Sequence, residues 1–169
     1  LIRPANYPKG VPGQGFLIFK QVLVINLLGR VFLSDTVDSP FQIVDQILKE
    51  TETEPLAAII VDFHAETTSE KRALFHYLDG RVSAVFGTHT HVQTADEEVS
   101  EKGTAYLSDV GMCGPQDSVI GMDKDIILQS FLTGLPQTFA PAQKKGILNA
   151  VYLEIQNSKA VKIERIFIR

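Results

Sequence analysis

The sequence predicts an α/β fold in which a mixed sheet, or two packed sheets, is flanked by helices. Three observations carry this prediction. Apolar runs of strand length recur along the chain, and a strand–helix–strand unit occupies its middle. At the end of the chain, two runs in which apolar and polar residues alternate predict a hairpin. With 169 residues, of which 44% are hydrophobic, the chain is long enough for one domain spanning residues 1–169.

The first part of the chain predicts an irregular segment, two strands and a helix. Prolines and glycines are frequent in residues 1–15, which is typical of irregular surface chain. Apolar runs at 16–20 and 22–27 predict two strands joined by a tight turn. Ser39 followed by Pro40 predicts a helix start, because serine caps helices and proline is favoured in the first turn.

A strand–helix–strand unit follows. Residues 56–63 and 82–86 predict strands, and Thr67 and Glu70 have the spacing of a capping box that opens the intervening helix. The residues predicted on the buried side of this helix are Ala73, Leu74, Tyr77 and Leu78. So short a crossover predicts parallel strands, whose carboxyl ends lie at one edge of the sheet.

Shorter elements are predicted beyond this unit. They are a strand at 103–108, a helix capped by Asp123 that runs to Leu132, and a hairpin formed by 147–155 and 161–168.

Composition excludes several classes of protein. A net charge of −4 and a pI near 5.5 argue against stable nucleic-acid binding and against an anionic membrane surface. No apolar stretch approaches the ~20 residues that span a bilayer. Cys113 is the single cysteine, so the chain cannot build an internal disulfide framework. We therefore expect a cytoplasmic protein.

Three of the four histidines lie just beyond predicted strands. His64 follows one strand of the crossover, and His89 and His91 follow the next, so the three converge at one sheet edge. If residues 88–91 are extended, His89 and His91 share a face about 6–7 Å apart, which suits two metal ions about 3.5–4 Å apart. We predict that these histidines bind zinc, iron, manganese or nickel. Loop histidines held by hydrogen bonds are the alternative.

Four carboxylates accompany the histidines. Asp62 can share one side of a strand with His64, as a ligand or, preferably, as a structural hydrogen-bond acceptor. Glu66, Asp96 and Asp109 lie in predicted loops on the same side. They are expected to orient imidazoles by accepting a ring N–H, or to cap loops.

Two other residues are assigned no chemistry. His76 lies in the middle of the predicted helix, beside charged residues, so we expect it on a solvated face. Cys113 lies between glycines in a loop, and no activating base is close to it in the sequence. We expect its thiol to be inert.

The chain also resembles a known family. Among the matching stretches are Val-Asp-Phe-His-Ala-Glu at 61–66 and Gly-Thr-His-Thr-His at 87–91, and others lie at 1–8, 77–85, 108–112 and 131–136. Together they are similar to the YmdB-type bacterial metallophosphoesterases, in order and over essentially the whole chain. The resemblance implies a calcineurin-like sandwich of two packed mixed sheets flanked by helices.

The same resemblance implies a phosphodiesterase acting on small cyclic nucleotides, notably 2′,3′-cyclic and also 3′,5′-cyclic monophosphates. It implies two divalent transition-metal ions, iron or manganese in preference to zinc, and a homo-oligomer. His64 and His89 would ligate one metal and His91 the other, and the two cations would absorb charge on the phosphoryl oxygens.

The chain departs from this family in one respect. Family members carry N-terminal strands that supply an aspartate ligand, a bridging acidic residue and a Gly-Asn-His motif with the general-acid histidine. No Gly-Asn-His occurs here, and the chain begins at Leu1. We therefore expect the C-terminal two-thirds of such an enzyme, with its N-terminal strands missing, no catalytic acid, weak metal binding and poor activity.

Two other functions remain open from the sequence. The chain could be a different metal-dependent hydrolase, with Asp62, His64, His89 and His91 as its site. It could also be a non-catalytic regulatory or binding module derived from the same fold.

Overall fold

The computed structural model describes residues 2–143 and 145–169. They form one six-stranded sheet, one three-stranded sheet and three helices. In chain order the elements are β1 (Phe16–Phe19), β2 (Val22–Leu28), α1 (Pro40–Glu50), β3 (Ala58–His64), α2 (Thr68–Leu78), β4 (Ala84–Thr88), β5 (Glu98–Val99), β6 (Ala105–Leu107), β7 (Gly114–Pro115), α3 (Lys124–Thr133), β8 (Gly146–Gln156) and β9 (Lys159–Ile168).

The larger sheet has the strand order β1-β2-β3-β4-β6-β5. Its four central strands are parallel, and β1 and β5 are antiparallel to their neighbours at the two edges. The second sheet is antiparallel, in the order β7-β8-β9. The predicted mixed α/β fold with two sheets is therefore confirmed. Because the central strands are parallel, their carboxyl ends share one edge.

The core lies on both faces of the larger sheet. On one face, alternate residues of β2 such as Leu23 and Ile25 pack with Val44 of α1 and Leu74 of α2. On the other face, a smaller cluster joins this sheet to the hairpin of β8 and β9. Its members are Ala84, Ala105 and Ala160, with Ile60, Phe86, Val99, Leu153 and Ile163 against them. No helix in the described ranges is long and apolar enough to cross a membrane.

The predicted tight turn between the first two strands is present, and the predicted C-terminal hairpin also closes through a two-residue turn. Lys20 and Gln21 connect β1 to β2 with φ of 48° and 65°, and Asn157 and Ser158 connect β8 to β9 with φ of 51° and 62°. Two consecutive left-handed residues match the twist of the strands that they join. Each hairpin is therefore closed by two residues.

Element boundaries differ from the prediction around the site. His64 and Thr88 are the last residues of β3 and β4, and they are paired in register. The predicted capping box is half formed. The Thr67 hydroxyl accepts a bond from the Glu70 amide at 3.4 Å, whereas the Glu70 carboxylate accepts from the Arg30 amide at 3.0 Å. Glu70 therefore ties the start of α2 to the segment after β2.

The buried side of α2 differs from the predicted side. Leu74 and Leu78 are buried as predicted, but Ala73 and Tyr77 are exposed, and Lys71 and Phe75 are buried instead. The Tyr77 hydroxyl donates to the Asp45 carboxylate of α1, so its polar end stays at the surface. His76 is exposed, as predicted.

Candidate metal site

Two imidazoles meet at the carboxyl edge of β3 and β4. His64 ends β3, and His89 follows directly after β4. Nδ1 of His89 lies 3.0 Å from Nε2 of His64, and the two rings are nearly perpendicular, at 82°. The topology brings these side chains together, because the ends of neighbouring parallel strands lie side by side.

A chain of hydrogen bonds orients His64. Asn26 donates to Asp62 Oδ2 at 2.6 Å, and the Thr88 hydroxyl donates to Asp62 Oδ1 at 3.2 Å. Since that hydroxyl has one proton, it must accept in its 3.2 Å contact with His64 Nδ1. The network therefore assigns the proton of His64 to Nδ1 and leaves a lone pair on Nε2.

Burial shifts the pKa values of Asp62 and His64, the two ionisable groups in this hydrogen-bond network. It raises the pKa of Asp62, against the hydrogen bonds from Asn26 and Thr88. It lowers the pKa of His64, and the neighbouring His89 imidazole lowers it further. These effects favour the neutral form of His64, which is the form that binds metal ions.

The second imidazole is oriented by an acidic residue. The Glu66 carboxylate contacts Nε2 of His89. A carboxylate only accepts, so Nε2 carries the proton and the lone pair of the neutral ring lies on Nδ1. Glu66 thus takes the place of the carboxylate that commonly orients a metal-bound histidine.

Two lone pairs therefore lie on nitrogens 3.0 Å apart, and either a proton between the nitrogens or a cation bound by both of them removes the repulsion. Adjacent nitrogen ligands of one divalent ion lie about 3.0–3.4 Å apart when metal–nitrogen bonds are about 2.1 Å. The spacing of His64 Nε2 and His89 Nδ1 fits this requirement. The two histidines and their partners are thus suited to one transition-metal ion.

His91 lies apart from this pair. The expected extended conformation of residues 88–91 is wrong, because φ is 138° at His89 and 65° at His91. Nδ1 of the exposed His91 instead contacts the Ile120 carbonyl at 2.9 Å. Within residues 2–143 and 145–169, no three His, Cys, Asp or Glu side chains form a group that could hold a metal. A role for His91 at a second ion stays a prediction.

Comparison with known proteins identifies the family. Residues 1–166 match the family of YmdB-like proteins. The chain belongs to this family. It is 51% identical over 174 residues to a 2′,3′-cyclic-nucleotide 2′-phosphodiesterase of Bacillus subtilis strain 168, covering 99% of this chain and 65% of that protein.

Solved structures agree with this assignment. A hypothetical protein from Thermus thermophilus superimposes with a TM-score of 0.91 and 44% identity, over 99% of this chain and 66% of that one. A phosphatase from Mycoplasma pneumoniae superimposes with a TM-score of 0.88 and 38% identity, over 99% and 63%. The chain spans less than two thirds of the length of the curated relatives that it matches.

In this YmdB-like chain, Asp109 lies beneath the turn formed by residues 89–91, which we call the histidine turn. Its Oδ2 accepts the Thr90 amide at 2.7 Å and pairs with Lys71 Nζ at 3.2 Å, and its Oδ1 accepts the Gly111 amide at 2.9 Å. Among the described residues, no hydrogen bond joins Asp109 to an imidazole. Asp109 therefore holds the backbone of the turn. Of the two roles considered from the sequence, orienting an imidazole or capping a loop, its contacts match the second.

The sequence prediction missed Lys71, which is 2% exposed. The helical period of α2 could have found it, since Lys71 precedes Leu74, Phe75 and Leu78 by three, four and seven positions and so shares their face. Because lysine is charged, an exposed position is the natural expectation. The partner that permits its burial, Asp109, is 38 positions away in the sequence.

Asp96, like Asp109, has no hydrogen bond to a histidine among the described residues and bonds to Ser108 instead. It accepts the Ser108 amide at 3.2 Å and contacts the Ser108 hydroxyl. Burial raises the pKa of Asp96, but the hydrogen bonds from Ser108 and Thr94 outweigh burial and leave the pKa below its usual range. Asp96 therefore anchors the segment after β6.

We expect Asp96→Asn to reduce stability at neutral pH and to have a smaller effect in acid. A carboxylate whose pKa is lowered by folding contributes stability above its unfolded pKa of about 3.9, and that contribution is lost as the pH falls through the folded value. Urea unfolding of both proteins between about pH 7 and pH 3 measures the difference. Glu101→Gln, in an exposed turn, is the control. An Asp96→Asn deficit that does not shrink towards acid contradicts the prediction.

Proposed function

We propose that this chain forms part of a metal-dependent phosphodiesterase that hydrolyses 2′,3′-cyclic nucleotides. The observation that carries the proposal is the convergence of His64 Nε2 and His89 Nδ1 at 3.0 Å, each with a partner on its other ring nitrogen. The phosphodiesterase activity of the Bacillus subtilis relative supports the substrate class. The packing of the two sheets supports a calcineurin-like metallophosphoesterase sandwich.

The roles of the residues follow from their contacts. His64 and His89 would hold one divalent ion, iron or manganese in preference to zinc, while Asp62 through Thr88 fixes one ring and Glu66 the other. A bound divalent ion would supply Lewis-acid stabilisation to the phosphoryl oxygens. Two nitrogens leave most positions around such an ion to other donors, and His91 is proposed as a ligand of a second ion.

A cleft beside the histidine turn supports a small-molecule substrate. It has a volume of about 330 Å³ and is lined by His91, Val92, Gln93, Ile147, Asn149, Arg165 and Phe167. This size lies at the lower end of the range for ligand sites. Its apolar side chains offer a surface for a nucleobase, and Arg165, which pairs with Glu97 at 2.8 Å, offers a cation for a phosphate.

We expect His64→Asn and His89→Asn to weaken binding of Mn²⁺ by more than the roughly tenfold to hundredfold typical of losing an orienting partner. Each substitution removes one of the converging nitrogens, whereas Glu66→Gln should fall within that range because it removes only the orienting charge. Calorimetric titration of the metal-free protein with Mn²⁺ measures these affinities.

His76→Asn is the matched control, because His76 is exposed on α2 and should leave the affinity unchanged. Hydrolysis of 2′,3′-cyclic AMP, with and without Mn²⁺, is measured on the same proteins. Equal metal affinity in wild type, His64→Asn and His89→Asn would exclude the proposed site. Metal-independent hydrolysis would exclude the proposed chemistry.

A further inference from the structure

A buried ion pair lies next to the candidate metal site and takes no direct part in it. Lys71 of α2 and Asp109 after β6 are 2% and 1% exposed, and Nζ lies 3.2 Å from Oδ2. Removing two charges from water is costly, and such a pair is often no more stabilising than well-packed apolar residues. The position of the pair therefore points to a role besides stability.

The carboxylate of this pair holds the residue between the two histidines. Asp109 Oδ2 accepts the Thr90 amide at 2.7 Å. The flanking residues His89 and His91 both have positive φ, a conformation that is uncommon for residues other than glycine. The amide and the hydroxyl of Thr94 also bond to the backbone carbonyl of Asp109, so the segment that follows the turn is held by the same residue.

We propose that Asp109 is a positioning residue that locks the 89–91 turn so that His89 Nδ1 faces His64 Nε2, and that Lys71 is the counter-ion of its buried carboxylate. A charged acceptor bonds an amide more strongly than a neutral one, and Lys71 supplies the counter-charge that makes its burial tolerable. Without this bond, the turn relaxes from its positive-φ conformation and His89 rotates away from His64. The metal-binding part of this inference rests on the proposed function.

Two double variants separate positioning from a role in stability alone. Both remove the two charges together, so neither leaves an unpaired buried ion. Lys71→Met with Asp109→Asn retains a side-chain oxygen that can accept the Thr90 amide, whereas Lys71→Met with Asp109→Leu removes it. We expect Mn²⁺ affinity to fall by roughly tenfold or more in the leucine variant and to stay near wild type in the asparagine variant.

A second readout does not depend on metal. Nitrogen NMR of the imidazoles in the metal-free protein should show a single, non-averaged set of His89 ring signals in wild type and in the asparagine variant. The leucine variant should show averaged His89 signals, while the exposed His76 stays unchanged as an internal reference. Wild-type His89 signals and wild-type affinity in the leucine variant would overturn the proposal.

Amide hydrogen exchange in the unmodified protein completes the test if the leucine variant does not fold. The Thr90 amide should exchange far more slowly than an unstructured peptide does, because it donates to a buried carboxylate. Exchange at the unstructured rate would overturn the positioning role. Absence of Mn²⁺ binding by wild type would instead reject the proposed function, and the NMR and exchange results would still decide whether Asp109 positions His89.

Discussion

Gly87→Ala is expected to destabilise the fold by about 3 kcal/mol or more, at the upper end of the cost of overpacking. A Cβ at Gly87 would lie 1.8 Å from the Ser108 carbonyl oxygen and 2.8 Å from Cδ of Lys71. The Ser108 oxygen belongs to the backbone, so it can move only if the segment after β6 separates from β4. We therefore expect a strongly lowered urea midpoint, or protein recovered only in aggregates.

Gly146→Ala is a matched control for this substitution. Gly146 is also a strand residue, and a Cβ there would have a backbone carbonyl oxygen, that of Gly114, as its nearest neighbour, but at 3.7 Å. Ordinary van der Waals contact predicts a change within about 0.5 kcal/mol. Equal urea midpoints for Gly87→Ala and Gly146→Ala would contradict the prediction, because they would show that the Ser108 backbone can move away from Gly87 at little cost.

The close approach at Gly87 also connects the fold to the candidate site. The Val110 amide donates to the Gly87 carbonyl at 2.9 Å, and the chain that crosses here carries Asp109 beneath the histidine turn. A side chain at Gly87 would lift Asp109 away from Thr90. We therefore expect any folded Gly87→Ala protein to have lost metal affinity as well as stability.

The meeting of His64 and His89 could be predicted from the sequence because it depends on topology alone. Two apolar runs separated by one amphipathic helix imply neighbouring parallel strands, and residues at their carboxyl ends then lie side by side. The position of His91 could not be predicted in the same way. It depends on the backbone conformation of a turn, which hydrogen bonds from distant segments impose.

The carboxylates illustrate the same limit. Asp62 and Glu66 lie within two residues of His64 in the sequence, so a role beside the imidazoles could be considered from local spacing. Asp109 and Lys71 are 38 positions apart, and their pairing follows from the crossing of the chain over Gly87. Long-range contacts between loops carry no periodic signal that a single sequence would reveal.

Lys71→Met is expected to destabilise the protein by about 3–5 kcal/mol, because it leaves the Asp109 carboxylate buried without its counter-charge. Methionine has a volume similar to that of lysine, so the substitution leaves no large cavity that would add to this value. Urea unfolding at neutral pH measures it. Since native stability is commonly about 5–15 kcal/mol, the variant should fold but melt at a much lower urea concentration.

Lys102→Met provides the control for the loss of a lysine charge. Lys102 is 69% exposed and lies 3.8 Å from Asp79, a surface pair that contributes at most about 1 kcal/mol. Adding Asp109→Asn to Lys71→Met should restore part of the lost stability, since a neutral amide is less costly to bury than an unpaired carboxylate. If Lys71→Met and Lys102→Met unfold at the same urea concentration, Asp109 reaches solvent or another cation when Lys71 is removed. The histidine turn would then be held by the Thr90–Asp109 bond alone, without a contribution from the lysine.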